Sequence, residues 1–333
     1  MAENTLISWA THTANFWTGC IKVSDPGLCT NCYAETLINR FGGNFERDRP
    51  MVKKVWSDIP RWQKQSEKTG DRPRVFVMSL GDFFEALPEN HKDYYDLYEA
   101  RRRAIDLMEQ TTGIDYLVLT KRISNVRKMV PRHWLEIWPS HIRLGISVGT
   151  QKDADRDIPR LLKIDAPNFL SMEPLLERVD ISWALESHEL GELPQDENGH
   201  ASSVYSNAID WVITGGESGP HARPMHPDWA RSLRDQCQAA GVAFHFKQWG
   251  RNLPESQWDS FSADINAQRC ARNSYDLSER TIRSVRAHGE RFYPMNKSET
   301  GHLLDGEVWQ QFPEALTPSL FAATAATGSE GGA

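Results

Sequence analysis

Three cysteines fall close together as Cys20-x8-Cys29-x2-Cys32. Thiolates are soft ligands that select zinc or iron–sulfur centres. Two cysteines separated by two residues can place both sulfurs on one metal. Gly19, Pro26 and Gly27 let the intervening loop fold around such a site. A structural zinc ion takes four ligands and an ordinary four-iron cluster takes four thiolates, so a set of three leaves one iron open. On these residues three readings stand: an open [4Fe-4S] cluster, a zinc site with His12 as fourth ligand, or cysteines without a metal role. Of the other cysteines, Cys237 falls on an apolar helix face, and Cys270 sits beside Arg269 and Arg272. A disulfide framework is not expected in a long chain without a secretion signal.

A second constellation lies where apolar runs end. These ends read Ser79-Leu80-Gly81-Asp82, Thr120-Lys121-Arg122, Ser147, Ser171 with Glu173, Gly215-Gly216-Glu217-Ser218 and Lys247-Gln248-Trp249. If the runs are parallel strands of a barrel, such ends converge on one mouth, where active sites sit. Glycines after a strand let a ligand approach the backbone. Glu217 then holds an amine or a ribose hydroxyl, or else is a solvated turn residue. Pro174 keeps Glu173 extended; the alternative role for Glu173 is an ion pair with Lys121, Arg122 or Lys247. His221, Arg223 and His226 follow the glycine-rich turn, as anion ligands or exposed loop residues. Arg101-Arg102-Arg103 reads as a solvated helix face.

The elements that must position these groups are legible as alternating runs. Strands are expected at Leu6–Trp9, Arg74–Leu80, Asp115–Thr120, Ile142–Val148, Asn168–Glu173, Ile209–Thr214 and Val242–Lys247. Their near-continuous apolar character suits parallel strands covered on both faces. Helices are expected over Tyr94–Gln110, over Asp157–Ile164 with Pro159 in its first turn, and from an Asp228 cap to Gly241. The alternation predicts an α/β fold, a full or partial (β/α) TIM-like barrel. No Gly-x-Gly-x-x-Gly follows a strand, against a dinucleotide site. The expected organisation is a barrel over 1–250 with an N-terminal cysteine loop, a C-terminal extension over 251–315 and a disordered tail over 316–333. Glu186–Asn207 reads as a polar surface insertion.

The chain has 333 residues, 39% hydrophobic and 25% charged, enough for a sizeable core. With 38 Lys and Arg against 45 Asp and Glu, its formal charge of −7 argues against a broadly basic surface but allows a local basic channel. Its 12 Trp are expected mainly in the core and pocket walls. No run approaches the roughly 20 apolar residues that span a bilayer, and Met1–Thr5 lacks a signal-peptide pattern. A cytoplasmic protein without a membrane partner is expected.

As a set, HTANFWTGC, CTNCYAE, RVFVMSLGDFF, YLVLTKR, RLGISVG, FLSMEPLL, WVITGGESGPHARPMHPDWARSLRDQC and FHFKQWG resemble a family of phage-encoded and bacterial proteins grouped with the radical S-adenosylmethionine (SAM) enzymes. The resemblance runs over residues 7–313. It implies a radical SAM-type barrel whose Cys20, Cys29 and Cys32 hold a [4Fe-4S] cluster, with SAM as cofactor and a reductant as electron donor. It makes Ser79 and Asp82 candidates for the amino end of SAM, and Ser147, Glu173 and Glu217 candidates for its ribose or the substrate. Lys121, Arg122 and Lys247 become candidates for a substrate carboxylate or phosphate. No catalytic residue is singled out; phage membership makes a nucleotide or nucleic acid a candidate substrate. Most radical SAM enzymes have Cys-x3-Cys-x2-Cys, against a first spacer of eight here, and an aromatic before the third cysteine, where this chain has Asn31. The rival expectation is a zinc-stabilised barrel that binds ligands without radical chemistry.

Overall fold

The computed structural model describes residues 3–23, 27–186, 208–259, 284–295 and 300–314. Strands β1 (His12–Ala14), β2 (Arg74–Val77), β3 (Asp115–Thr120), β4 (Ile142–Ser147), β5 (Asn168–Met172), β6 (Trp211–Gly215) and β7 (Ala243–Gln248) form one sheet in chain order. Every neighbouring pair is parallel. The sheet curls into a half-barrel flanked by helices. These are α1 (Tyr33–Arg40), α2 (Val55–Thr69), α3 (Tyr94–Gln110), α4 (Ile123–Met129), α5 (Arg132–Glu136), α6 (Gln151–Leu161), α7 (Ser182–Leu185) and α8 (Pro227–Ala240). Among the described residues β1 and β7 do not pair with each other, so the barrel is partial.

The period-two alternation of strand side chains sorts the residues into two layers. Val75 and Val77, Tyr116 and Val118, and Ile142, Leu144 and Ile146 join the main core with Ile59, Trp62, Ala104, Ile158 and Leu233 of the helices. The intervening Phe76, Leu117, Phe169 and Ile213 form a separate interior cluster with Trp9 and Trp211. Gly145 lies opposite Phe169, and a Cβ there would stand 2.2 Å from the Phe169 ring. The strands look continuously apolar because both faces are buried.

Three expected elements are placed differently. Residues Leu6–Trp9 are not a strand: Ala10 turns back onto the Ile7 carbonyl, and the sheet starts at His12. Trp9 instead plugs the inside of the curl, its ring 4.6 Å from Phe76 and 6.5 Å from Trp211. Helix α6 begins earlier than expected because the Thr150 hydroxyl accepts from Asp153 N–H as an N-cap, which puts Pro159 near the helix end. In α8 the cap is His226, Pro227 opens the helix, and Gly241 at φ +69° ends it.

After β7 come β8 (Asn252–Pro254), β9 (Val285–Ala287) and β10 (Glu290–Pro294), an antiparallel sheet ordered β8-β10-β9. A two-stranded ribbon, β11 (Leu303–Leu304) and β12 (Glu307–Val308), follows. The chain then runs along the free edge of β7, where Phe246 N–H donates to Trp309 O and Gln311 N–H to Phe244 O. That contact covers an edge open to further pairing. No helix among the described residues is long and apolar enough to cross a membrane. Pro26, Cys270, the insertion beyond Glu186 and the expected 316–333 tail lie outside the described residues.

Candidate functional site

The three cysteines line one cavity of about 100 Å³ at the C-terminal ends of β2, β3 and β4. The ends of β2 and β3 contribute Ser79, Asp82, Lys121 and Arg122, and β4 contributes Ser147. None of the three thiols is in a disulfide.

Each cysteine is held by a device outside itself. Gly19, at φ +96°, bridges Gly81, and its N–H donates to Leu80 O. A Cβ at Gly19 would stand 2.4 Å from Asp48 O, so only glycine fits. Cys20 N–H donates to Phe45 O, and the same carbonyl accepts from Arg49 Nη1. Arg49 is fully buried and forms two bonds of 2.6 and 2.8 Å with the Glu85 carboxylate. Glu85 in turn accepts Ile21 N–H at 2.7 Å, which ties the residue after Cys20 to the end of β2.

On the far side of the loop, Asn31 donates to Glu217 Oε2 and to His221 O, both at 2.9 Å. Arg223 forms a bidentate pair with Glu217 and reaches Gly27 O at 2.8 Å. Cys29 and Cys32 therefore lie in a loop clamped to the end of β6. Cys32 is the N-cap of α1, where unpaired N–H groups favour negative charge. Tyr33 donates its hydroxyl to Ser79 O and forms a wall of the cavity.

Many polar groups here are already committed. Asp82 is buried, and its oxygens accept from Thr120 Oγ1, Phe84 N–H, Lys121 N–H and Arg122 Nη1. It is a hub between β2 and β3, not a free acceptor for an amine. Ser79 hydrogen-bonds the Asn15 side chain, whose Oδ1 also accepts Leu80 N–H. Glu217 is buried rather than a solvated turn residue, and its oxygens accept from Arg223 and Asn31. Glu173 accepts from Lys247 at 2.6 Å and Gln248 at 3.0 Å, so Lys247 is spent inside the wall. Arg122 donates to Asp82, to Ile21 O and to Cys20 Sγ at 3.2 Å. Burial, helped by Asp82, pushes the Cys20 thiol up to about 12, with Arg122 opposing.

Two expected ligand groups stay uncommitted. The Lys121 ammonium and the Ser147 hydroxyl line the cavity without a hydrogen-bond or ion-pair partner among the described residues. His12, the expected fourth zinc ligand, instead opens β1 and packs edge-on against Trp62 of α2, 4.5 Å between ring centroids. Cys237 is buried on α8, with its thiol pushed up to about 12 by burial alone. The arginine triplet divides: Arg102 pairs with Glu99 and Asp106, but Arg101 is buried and donates to Phe83 O and Glu85 O.

A family model described as a protein of unknown function, DUF5131, matches residues 4–313. The chain belongs to the DUF5131 family. No curated protein and no solved structure matches the chain.

For this DUF5131 chain, the donor chemistry suits a soft metal centre: three unbridged thiols on one cavity, with a guanidinium beside one sulfur. Among the described residues no three Cys, His, Asp or Glu side chains are drawn together closely enough to hold a metal as they stand. Asn15, Asn31, Tyr33, Arg49 and Glu85 shape this site without a role expected from sequence, and Arg223, expected as an anion ligand or exposed loop residue, pairs with Glu217 instead. Asn15, Asn31 and Tyr33 lie inside the HTANFWTGC and CTNCYAE segments, but no spacing announces the Arg49–Glu85 pair.

Proposed function

We propose that the protein is a radical SAM-like enzyme, with Cys20, Cys29 and Cys32 as ligands of a [4Fe-4S] cluster and SAM as cofactor. Such a cluster with SAM supplies one-electron reductive cleavage of SAM and hydrogen abstraction from a substrate. The observation that carries the reading is three free thiols on one cavity at the strand ends of a parallel half-barrel, beside the uncommitted Lys121 and Ser147. Arg122 donates to Cys20 Sγ and offsets negative charge on that sulfur. The Asn31–Glu217–Arg223 clamp and the Arg49–Glu85 pair hold the two ends of the cysteine loop. Lys121 is the group for a carboxylate, and Ser147 for a hydroxyl. Ser79, Asp82, Glu173, Glu217, Arg122 and Lys247 act as positioning residues in this reading. The substrate class implied by the resemblance is a nucleotide or nucleic acid, with a separate electron donor.

The test is anaerobic purification with iron and sulfide analysis, followed by reconstitution and assay for 5′-deoxyadenosine. Four irons and four sulfides per chain, lost in Cys29→Ala, together with 5′-deoxyadenosine formation, are the expected outcome. Stoichiometric zinc after iron-replete anaerobic expression overturns the reading and favours a zinc-stabilised binding protein.

A further inference from the structure

A larger cavity, of about 340 Å³, adjoins the cysteine site and shares Cys32 and Tyr33 with it. One wall is α1, where Tyr33, Leu37 and Arg40 follow at i, i+4 and i+7 and so lie along one helix face. The other wall is the Ser218–His221 turn after β6. This turn is tied at both ends: Asn31 donates to His221 O, and Gln248 donates to Ser218 Oγ. The Tyr33 ring is likewise pinned through its hydroxyl.

The acid on these walls is already paired, and the cation is not. Glu35 is the one acid among the lining residues, and it pairs with Lys22 at 3.0 Å. Arg40 and His221 are exposed, and neither side chain has an ion-pair partner among the described residues. The cavity thus joins an apolar stretch, Tyr33 and Leu37, to the unpaired Arg40 guanidinium and the hydrogen-bonding ring of His221. Its volume falls at the lower end of the range of small-molecule sites, roughly 300–1,000 Å³. Apolar walls with a few convergent polar groups are the usual composition of such sites.

We propose that this cavity binds an anionic small molecule, its phosphate or carboxylate held by Arg40 and His221 and its ring or chain lying along Tyr33 and Leu37. The assignment does not require any particular metal at the cysteines. Arg40 carries the larger share, because a guanidinium engages an acid group through two parallel N–H bonds.

The test is equilibrium dialysis of the intact protein, its iron content recorded, against 5′-AMP, indole-3-acetate and adenosine. The two anions share a flat body with an acid and separate phosphate from carboxylate; adenosine is the body alone. Saturable binding of at least one anion is expected, about tenfold or more tighter than adenosine. Arg40→Ala should weaken that anion about tenfold, the loss of one charged hydrogen-bond donor. His221→Ala should weaken it less, and Arg40→Lys should recover part of the loss. Both side chains are exposed, so thermal unfolding and iron content should match the wild type. Absence of saturable anion binding at millimolar concentration, adenosine binding as tight as the tighter-bound anion, or wild-type affinity in Arg40→Ala each overturns the proposal. Iron content separates this result from the cluster reading: a chain that loads iron but binds no anion refutes the cavity alone.

Discussion

Asp82 and Glu217 show how a carboxylate at a strand end can serve architecture. Each is buried, and each has both oxygens filled by neighbouring donors. Arg122 is the cation opposite Asp82, at 2.9 Å with both side chains largely buried. Removing one partner of such a pair leaves an uncompensated charge, which costs about 3–5 kcal/mol. Arg122→Ala should therefore lower stability by about that amount in urea unfolding. Lys121→Ala removes a partly buried cation with no described partner, so its stability should stay within about 0.5 kcal/mol of wild type. Equal losses in the two variants would refute the division between a structural Arg122 and a ligand-facing Lys121. Glu217→Gln tests the clamp on the cysteine loop. It weakens the Arg223 bonds at a cost of about 1–3 kcal/mol, and should speed reaction of Cys29 and Cys32 with a thiol reagent. An unchanged rate would show that the loop is held without this carboxylate.

At the level of elements, the site depends on how tightly the strands approach. Gly145 on β4 leaves the space that Phe169 on β5 occupies. Gly145→Ala forces the ring or the backbone aside, and overpacking of this kind costs about 1–3 kcal/mol; urea unfolding with an unchanged m-value is the check. The inner strands could be read from sequence because both faces are buried, which yields near-continuous apolar runs such as Tyr116–Leu119 within β3 and Leu144–Ile146 within β4. Helix α3 was legible over its whole length from the spacing of Leu97, Ala100, Ala104, Ile105 and Met108. Elements at the margins were less so. The stretch Leu6–Trp9 resembles a strand, but its tryptophan is an interior plug, and one-dimensional hydropathy does not distinguish the two. The cysteines and strand-end residues were visible by type. What their side chains already bond was not, because Arg49–Glu85 and Asn31–Glu217 join residues 36 and 186 positions apart. Arg101 was misread for a similar reason: its buried role comes from the carbonyls of Phe83 and Glu85, which no helix pattern reveals.

At the scale of the whole molecule, the main sheet is an open curl, and among the described residues a side-chain contact reaches across to its last strand from the segment before its first. Ser8, just before β1, meets His245 of β7 at 2.8 Å between Oγ and Nε2, and Trp9 and Trp211 pack beside that contact. His245 has no solvent exposure. Burial lowers its pKa from 6.5 to about 4, and the nearby positive charges of Lys247 and Arg74 act in the same direction. The unfolded chain therefore takes up a proton at this residue at a higher pH than the folded one. The stability linked to neutral His245 is complete above about pH 6.5 and declines as pH falls toward 4. Over that window the loss reaches about 3 kcal/mol. His245→Gln keeps a hydrogen-bonding group opposite Ser8 but does not titrate. Its unfolding free energy should fall less steeply between pH 6.5 and 4 than that of the wild type, by up to the same amount. Buried His141, also shifted down by desolvation, remains in both proteins and supplies the common slope. Superimposable pH profiles would refute the lowered pKa of His245 as a source of the acid sensitivity.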